Sequence, residues 1–153
     1  MKIRNLLVTL VSVLALATGV QAQDKAAKAT ETELETKMDD LNAAYRKLGR
    51  EINDASKNAD SLKQVAIIKT AATAALKLEP AKKKEIPAAD QAKFVADYQA
   101  GMKQFIGNID KLEAALKAGK NAEAAELLKA LKHDQEEGHK QFRKDKKAKK
   151  KAA

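Results

Sequence analysis

The chain's most constraining feature is an apolar seam over residues 34–52: Leu34, Met38, Leu41, Tyr45, Leu48 and Ile52. Its steps alternate four and three. A strand repeats every two residues and cannot place such a set on one face, whereas an α-helix in a bundle does so. Seams of the same kind recur downstream. One is Leu62, Val65, Ile68, Ala72 and Leu76. Another is Phe94, Tyr98, Met102, Phe105, Ile109, Leu112 and Leu116. The last is Ala124, Leu127, Leu128, Leu131 and Phe142. With only six Gly and two Pro in 153 residues, little interrupts them. The residues between the seams are mostly Ala, Lys and Glu, which are strong helix formers.

Punctuation sets the boundaries. Thr30 with Glu33 fits a capping box at the start of the first helix, and residues 24–29 before it read as a linker. The second helix starts at Asp60 or Ser61. Pro80 and Pro87 flank a lysine run in a longer loop, 78–88. The third helix starts near Ala89 or Asp90. Gly119 is placed to stop it, and Asn121 to cap the fourth. Short one–two and three–four links make those neighbours antiparallel. The expected fold is all-α, an antiparallel up-down-up-down four-helix bundle over residues 30–143.

The first residues read differently. Lys2 and Arg4 precede an apolar run, Leu6 to Val20, and Val20-Gln21-Ala22 has the small-residue pattern of a cleavage site. The run is shorter than the roughly 20 residues a spanning helix needs. Residues 1–22 are therefore expected to be a secretory signal cleaved after Ala22, leaving residues 23–29 as a linker, with the periplasm as destination in a bacterium.

Charge is unevenly placed. The net charge is +9, yet residues 23–139 hold equal numbers of acids and bases. The excess lies in the C-terminal segment, where residues 144–153 form a Lys-rich tail. A solvated tail with weak electrostatic contact to anionic surfaces is expected. Export argues against a nucleic-acid partner.

Little side-chain chemistry remains. The absence of cysteine removes disulfides, thiolate metal sites and covalently attached c-type haem. No carboxylate pair, Ser/His/Asp set or phosphate-binding glycine loop stands out, so an enzyme is not expected. His133 and His139 are the only histidines. Six residues apart on a helix, they point roughly 120° away from each other and form no two-histidine clamp.

One end of the bundle is unusual. Topology brings Met38, near the start of helix one, to the same end as His139, near the end of helix four. There the fourth seam passes through Gln135 and Gly138 before reaching Phe142. A mid-helix Gly costs about 1 kcal/mol relative to Ala, and one reason to keep it is to make room for something flat. Leu76 and Leu78, with Phe94 and Tyr98, are candidates to line the same space. Singly, a seam Met reads as core packing and a His near a helix end as a surface residue. Leu34, Leu41, Tyr45, Phe105 and Phe142 read as core.

These residues carry a resemblance. Leu34-Glu35-Thr36-Lys37-Met38-Asp39-Asp40-Leu41-Asn42 and Gly138-His139-Lys140-Gln141-Phe142-Arg143 resemble the first and last helical segments of the cytochrome b562 family. Tyr98, Gly101 and Gly107-Asn108-Ile109-Asp110 resemble its third helix. Leu112 to Lys120 resembles the junction into its fourth. The resemblance implies a periplasmic, monomeric electron-transfer protein with one non-covalent haem b (iron protoporphyrin IX). It implies Met38 sulfur and His139 imidazole as axial iron ligands, with Leu41, Leu76, Phe94, Tyr98 and Gly138 around the cofactor and an unidentified redox partner protein. Gly138 and Met102 depart from the family pattern, which has aromatics at those positions. The alternative is a haem-free interaction or stress-related module of the same fold.

Overall fold

The structure, a computed structural model, describes residues 19–144, with side chains from residue 33 onward. Four α-helices account for most of it: α1 (Gly19–Glu51), α2 (Asn58–Ala75), α3 (Gln91–Lys117) and α4 (Asn121–Phe142). Three 3-10 turns, Ala55–Lys57, Ala81–Glu85 and Ala88–Asp90, occupy the links, and there is no strand among the described residues.

Helix α1 departs from expectation. It is already helical at Gly19, so residues 24–29 are helix rather than linker, and the Thr30–Glu33 pair lies inside it. The cause is local: residues 24–33 are dominated by Ala, Lys and Glu with neither Gly nor Pro, and nothing there opposes helix propagation. Residues 1–18 of the expected export signal lie outside the described residues.

The seams close on one core. Leu41 and Leu48 of α1, with Ile52 just after it, meet Val65, Ile68 and Ala72 of α2, Ile109, Leu112 and Leu116 of α3, and Ala124, Leu128 and Leu131 of α4. Leu48, Ile109, Leu112 and Leu131 are wholly buried. Each such side chain contributes roughly 1.5–3 kcal/mol of hydrophobic stabilisation relative to exposure.

The end of α1, the start of α2, the end of α3 and the start of α4 meet at a polar junction. Asn121 donates through Nδ2 to the Ile52 carbonyl and to Asn58 Oδ1, both at 2.7 Å. Asn58 Nδ2 donates back to Asn121 Oδ1 at 3.2 Å, and to the Leu116 carbonyl at 3.5 Å. Asn121 is thus not the cap of α4, whose first turn is preceded by Lys120 with no side-chain cap. Its amide is spent on neighbouring helices instead. Gly119 does stop α3: at φ +69° it bonds to the Leu116 carbonyl while Lys120 N–H reaches back to Ala115. This paired closure suits glycine because a Cβ resists the left-handed conformation.

Between the other helix ends, Pro80 is buried and Gln91 Nε2 holds the Ile86 carbonyl at 3.0 Å. Close backbone approaches join α1 to α2, α2 to α3 and α3 to α4. Helices α1 and α4 approach less closely and are tied by side chains. Tyr45 Oη donates to the Leu128 carbonyl, and Gln135 Nε2 donates to Asn42 Oδ1 at 2.6 Å.

Candidate functional site

Beyond the Gln135–Asn42 bond, α1 and α4 enclose space. A cavity of about 780 Å³ opens there, within the ~300–1,000 Å³ typical of small-ligand pockets. Helix α1 supplies Leu34, Met38 and Leu41. Helix α3 supplies Tyr98, Gly101, Met102 and Phe105. Helix α4 supplies Gln135, Gly138, His139 and Phe142, and Pro80 and Ala81 close one side.

Helical spacing explains which side chains arrive. Leu34, Met38 and Leu41 fall on one stripe of α1, with Leu41 buried and the other two half-buried. On α4 the stripe continues from the buried Leu131 through Gln135 and Gly138 to Phe142. The polar break at Gln135 is used as the tie to Asn42. At Gly138, and also at Gly101, a Cβ would meet nothing within 4 Å, so both glycines face open space.

Five of the seven residues expected around the cofactor, Met38, Leu41, Tyr98, Gly138 and His139, line this one cavity. Leu76 and Phe94 do not. Leu76 stands at the C-terminal cap of α2, half-buried and outside the wall. Phe94 sits one layer back. Its ring meets Phe142 edge-on at 5.3 Å, while Tyr98 meets the same ring at 5.4 Å. Phe142 is the wall and Phe94 supports it. Sequence periodicity could not separate these layers, because both phenylalanines lie on apolar seams.

Lining residues that the sequence did not place at the pocket include Asn42, the partner of Gln135, and Phe105, which the seam places only as core. The polar Gln135 in the fourth seam was the available signal. Met102 is the second thioether on the wall, half-buried, so the departure from an aromatic there leaves a flexible side chain facing the cavity.

Burial governs the titrating groups. Desolvation, with a smaller contribution from the Arg143 cation, holds the His139 imidazole below its ordinary value. A neutral ring is favoured, which is the form with a lone pair to give. Tyr98 donates to the Ala75 carbonyl at 2.9 Å and its phenol is pushed far up by burial. Burial, aided by Glu136, pushes the Tyr45 phenol up to about 12. Both tyrosines are neutral structural donors. His133 is exposed and does not line the cavity. No group of three or more His, Cys, Asp or Glu able to hold a metal ion occurs among the described residues.

The cavity lining thus carries one imidazole, two thioethers and the carboxylates of Glu35, Asp39, Asp134 and Glu137, with no thiolate. Imidazole and thioether side chains are among the groups that can ligate haem iron, and helical bundles place cofactor sites between facing helices. The family model for cytochrome b562 matches residues 33–143, well over half of the chain, and the chain belongs to the cytochrome b562 family. That family consists of b-haem-binding, electron-carrying bundles rather than enzymes, and cytochrome b562 is itself a standard example of the four-helix bundle. A search of curated proteins returned no match.

Proposed function

We propose that this protein is an exported electron carrier that holds one non-covalent haem b between α1 and α4, with Met38 sulfur and His139 imidazole as its axial ligands. The observation that carries the reading is that these two groups, 101 positions apart in sequence, line the same cavity. The wall fits the group in three respects. The volume suits a flat macrocycle, Gly138 and Gly101 leave its approach open, and Leu34, Leu41, Phe105 and Phe142 give it apolar contact. The bound iron supplies a one-electron couple, which a thioether ligand biases toward the ferrous state relative to two nitrogens.

The chain's own residues do the rest. Burial keeps His139 neutral. The Gln135–Asn42 and Tyr45–Leu128 bonds hold α1 and α4 at a fixed separation. Filling both axial positions from the protein leaves no open coordination position, so the reading is a carrier and not a catalyst. The up-down-up-down arrangement is supported by the Asn58–Asn121 junction, which joins two helix ends to two helix starts. Export to the periplasm, with cleavage after Ala22, rests on the pattern of residues 1–22. A monomer serving an unidentified redox partner completes the proposal.

Absorption spectra of the haem-titrated chain test it. Wild type is expected to give a sharp low-spin ferrous spectrum at one haem per chain. Met38→Ala and His139→Ala are each expected to degrade it. Spectra indifferent to both substitutions would overturn the ligand assignment and leave the haem-free interaction module as the better reading.

A further inference from the structure

Two hydrogen bonds fix how α1 lies against α4. Tyr45 Oη donates to the Leu128 carbonyl, and Gln135 Nε2 donates to Asn42 Oδ1 at 2.6 Å. Passing from the first bond to the second, the chain goes back along α1, from Tyr45 to Asn42, and forward along α4, from Leu128 to Gln135. The two helices therefore run in opposite directions where they are tied. The next turn beyond the amide pair carries the two candidate ligands. Met38 stands four residues before Asn42 on α1, and His139 stands four residues after Gln135 on α4. Residues four apart share a helix face and are one turn, about 6 Å, apart along the axis. With the helices antiparallel, both steps lead the same way. Met38 and His139 thus stand at one level, a single turn above the amide pair, and all four residues line the cavity.

Resting on the axial-ligand reading above, we propose that Asn42 and Gln135 are positioning residues acting as one unit: their bond sets the gap between α1 and α4 at which Met38 and His139 reach the same iron. Both amides are half-buried, where water competes less for the bond. Positioning matters most for Met38. A thioether is a neutral, weak acceptor that favours ferrous over ferric iron. Its hold on the oxidised iron therefore depends on how little motion of α1 must be frozen for it to bind. Outer partners that orient metal ligands are typically worth roughly 10–100-fold in affinity. A comparable tie elsewhere lacks this placement. Asn108 Nδ2 donates to Asp134 Oδ2 at 2.9 Å, but that bond joins α3 to α4 and does not involve α1.

The test uses the full chain in two arms. In the first, free imidazole is titrated into the ferric haem-loaded protein, and displacement of Met38 is followed by absorption. Gln135→Leu removes the donor and is expected to lower the displacing concentration by roughly ten-fold. Asn42→Leu is expected to do the same. The double variant should do no worse than either alone, because the two amides make one bond. Asn42→Asp keeps the acceptor oxygen and is expected to stay near wild type. Asn108→Ala breaks the tie between α3 and α4 and is expected to leave the titration unchanged. The ferrous spectra of all these variants should match wild type, which a general loosening of the bundle would not allow. No shift with Gln135→Leu, an equal shift with Asn108→Ala, or additive shifts from the two leucine substitutions would overturn the proposal.

In the second arm the haem-free chain reports the gap itself. The sequence has no cysteine, so M38C/H139C carries nitroxide labels at those two positions alone, and their separation is read by pulsed electron paramagnetic resonance. A narrow distance distribution is expected, widened by adding Q135L and not by adding N108A. A distribution that is wide from the start, or that Q135L leaves unchanged, would overturn the proposal. This arm needs no cofactor. If Met38→Ala leaves the haem spectrum unchanged, the ligand assignment fails, while control of the gap by Asn42 and Gln135 is still decided here.

Discussion

Two polar clusters of the bundle, the Asn58–Asn121 junction and the Gln135–Asn42 pair, are built from similar materials and do opposite things. At the Asn58–Asn121 junction, two amides exchange hydrogen bonds with each other and also hold the Ile52 and Leu116 carbonyls. Wholly buried Leu112 and Leu116 lie alongside, Gly119 turns the chain, and little free space remains. At the cavity, a single amide pair, Gln135 to Asn42, marks where packing stops. Beyond it the seam residues Met38, Met102, His139 and Phe142 are only half-buried. Amide hydrogen bonding here closes the bundle where it reaches the ends of all four helices, and borders open space where it ties only α1 to α4.

Substitutions can break or sharpen this contrast. The largest effect is expected in the packed half: Leu112→Ala should cost about 2–5 kcal/mol of stability, the range for a buried leucine that leaves a void. Urea unfolding measures it, and the loss should be alike with and without haem. Met38→Ala in the haem-free chain should cost clearly less. Equal costs would mean that the cavity half is as closely packed as the other.

Asn121→Ala comes next. It strips the Ile52 carbonyl and the Asn58 amide of partners, and an unmet polar group of this kind costs about 1–3 kcal/mol. Haem affinity should barely change. A fall in affinity as large as that caused by Met38→Ala would show that the two regions are not independent.

Gly119→Ala should be milder, about 1 kcal/mol, because the left-handed backbone there opposes a Cβ. Differential scanning calorimetry of the haem-free chain would register it. The corresponding Gly138→Ala meets open space instead, and its penalty should appear in haem uptake and not in the melting temperature of the haem-free chain.

The smallest effect is a pH dependence. His139 is held below its ordinary value in the folded state by burial and by Arg143. As pH falls through the ordinary histidine value of about 6.5, the unfolded chain takes up this proton before the folded one does. Stability of the haem-free protein should therefore drop as pH falls through that value, and continue dropping until the folded-state value is passed. His139→Gln should remove this component of the acid loss. An unchanged acid profile in the variant would show that the ring is not desolvated.

Much of this was legible because it depends on period. The four-three seams gave all four helices, and the core residues Leu48, Ile109, Leu112 and Leu131 follow from them. Gly119 was readable because a glycine closing an apolar period has few other uses. The start of α1 was not, since the capping pair Thr30–Glu33 is equally at home inside a helix when no breaker precedes it. Asn121 misled for a related reason: an amide at a helix start serves as cap or as cross-bundle partner, and only tertiary contact decides. At the cavity, topology and resemblance together pointed to Met38, Gly138 and His139, and all three line it. Leu76 and Phe94 lie outside the cavity lining, and a one-dimensional stripe does not distinguish a wall from the layer supporting it.

Hydrogen exchange of the haem-free and haem-loaded protein compares the two regions in one experiment. The account expects haem to slow exchange strongly at residues 34–42, 98–105 and 134–143, while residues 48–62 and 112–124 are already protected and change little. Protection that rises equally everywhere, or that rises around the Asn58–Asn121 junction and not around Met38 and His139, would contradict it.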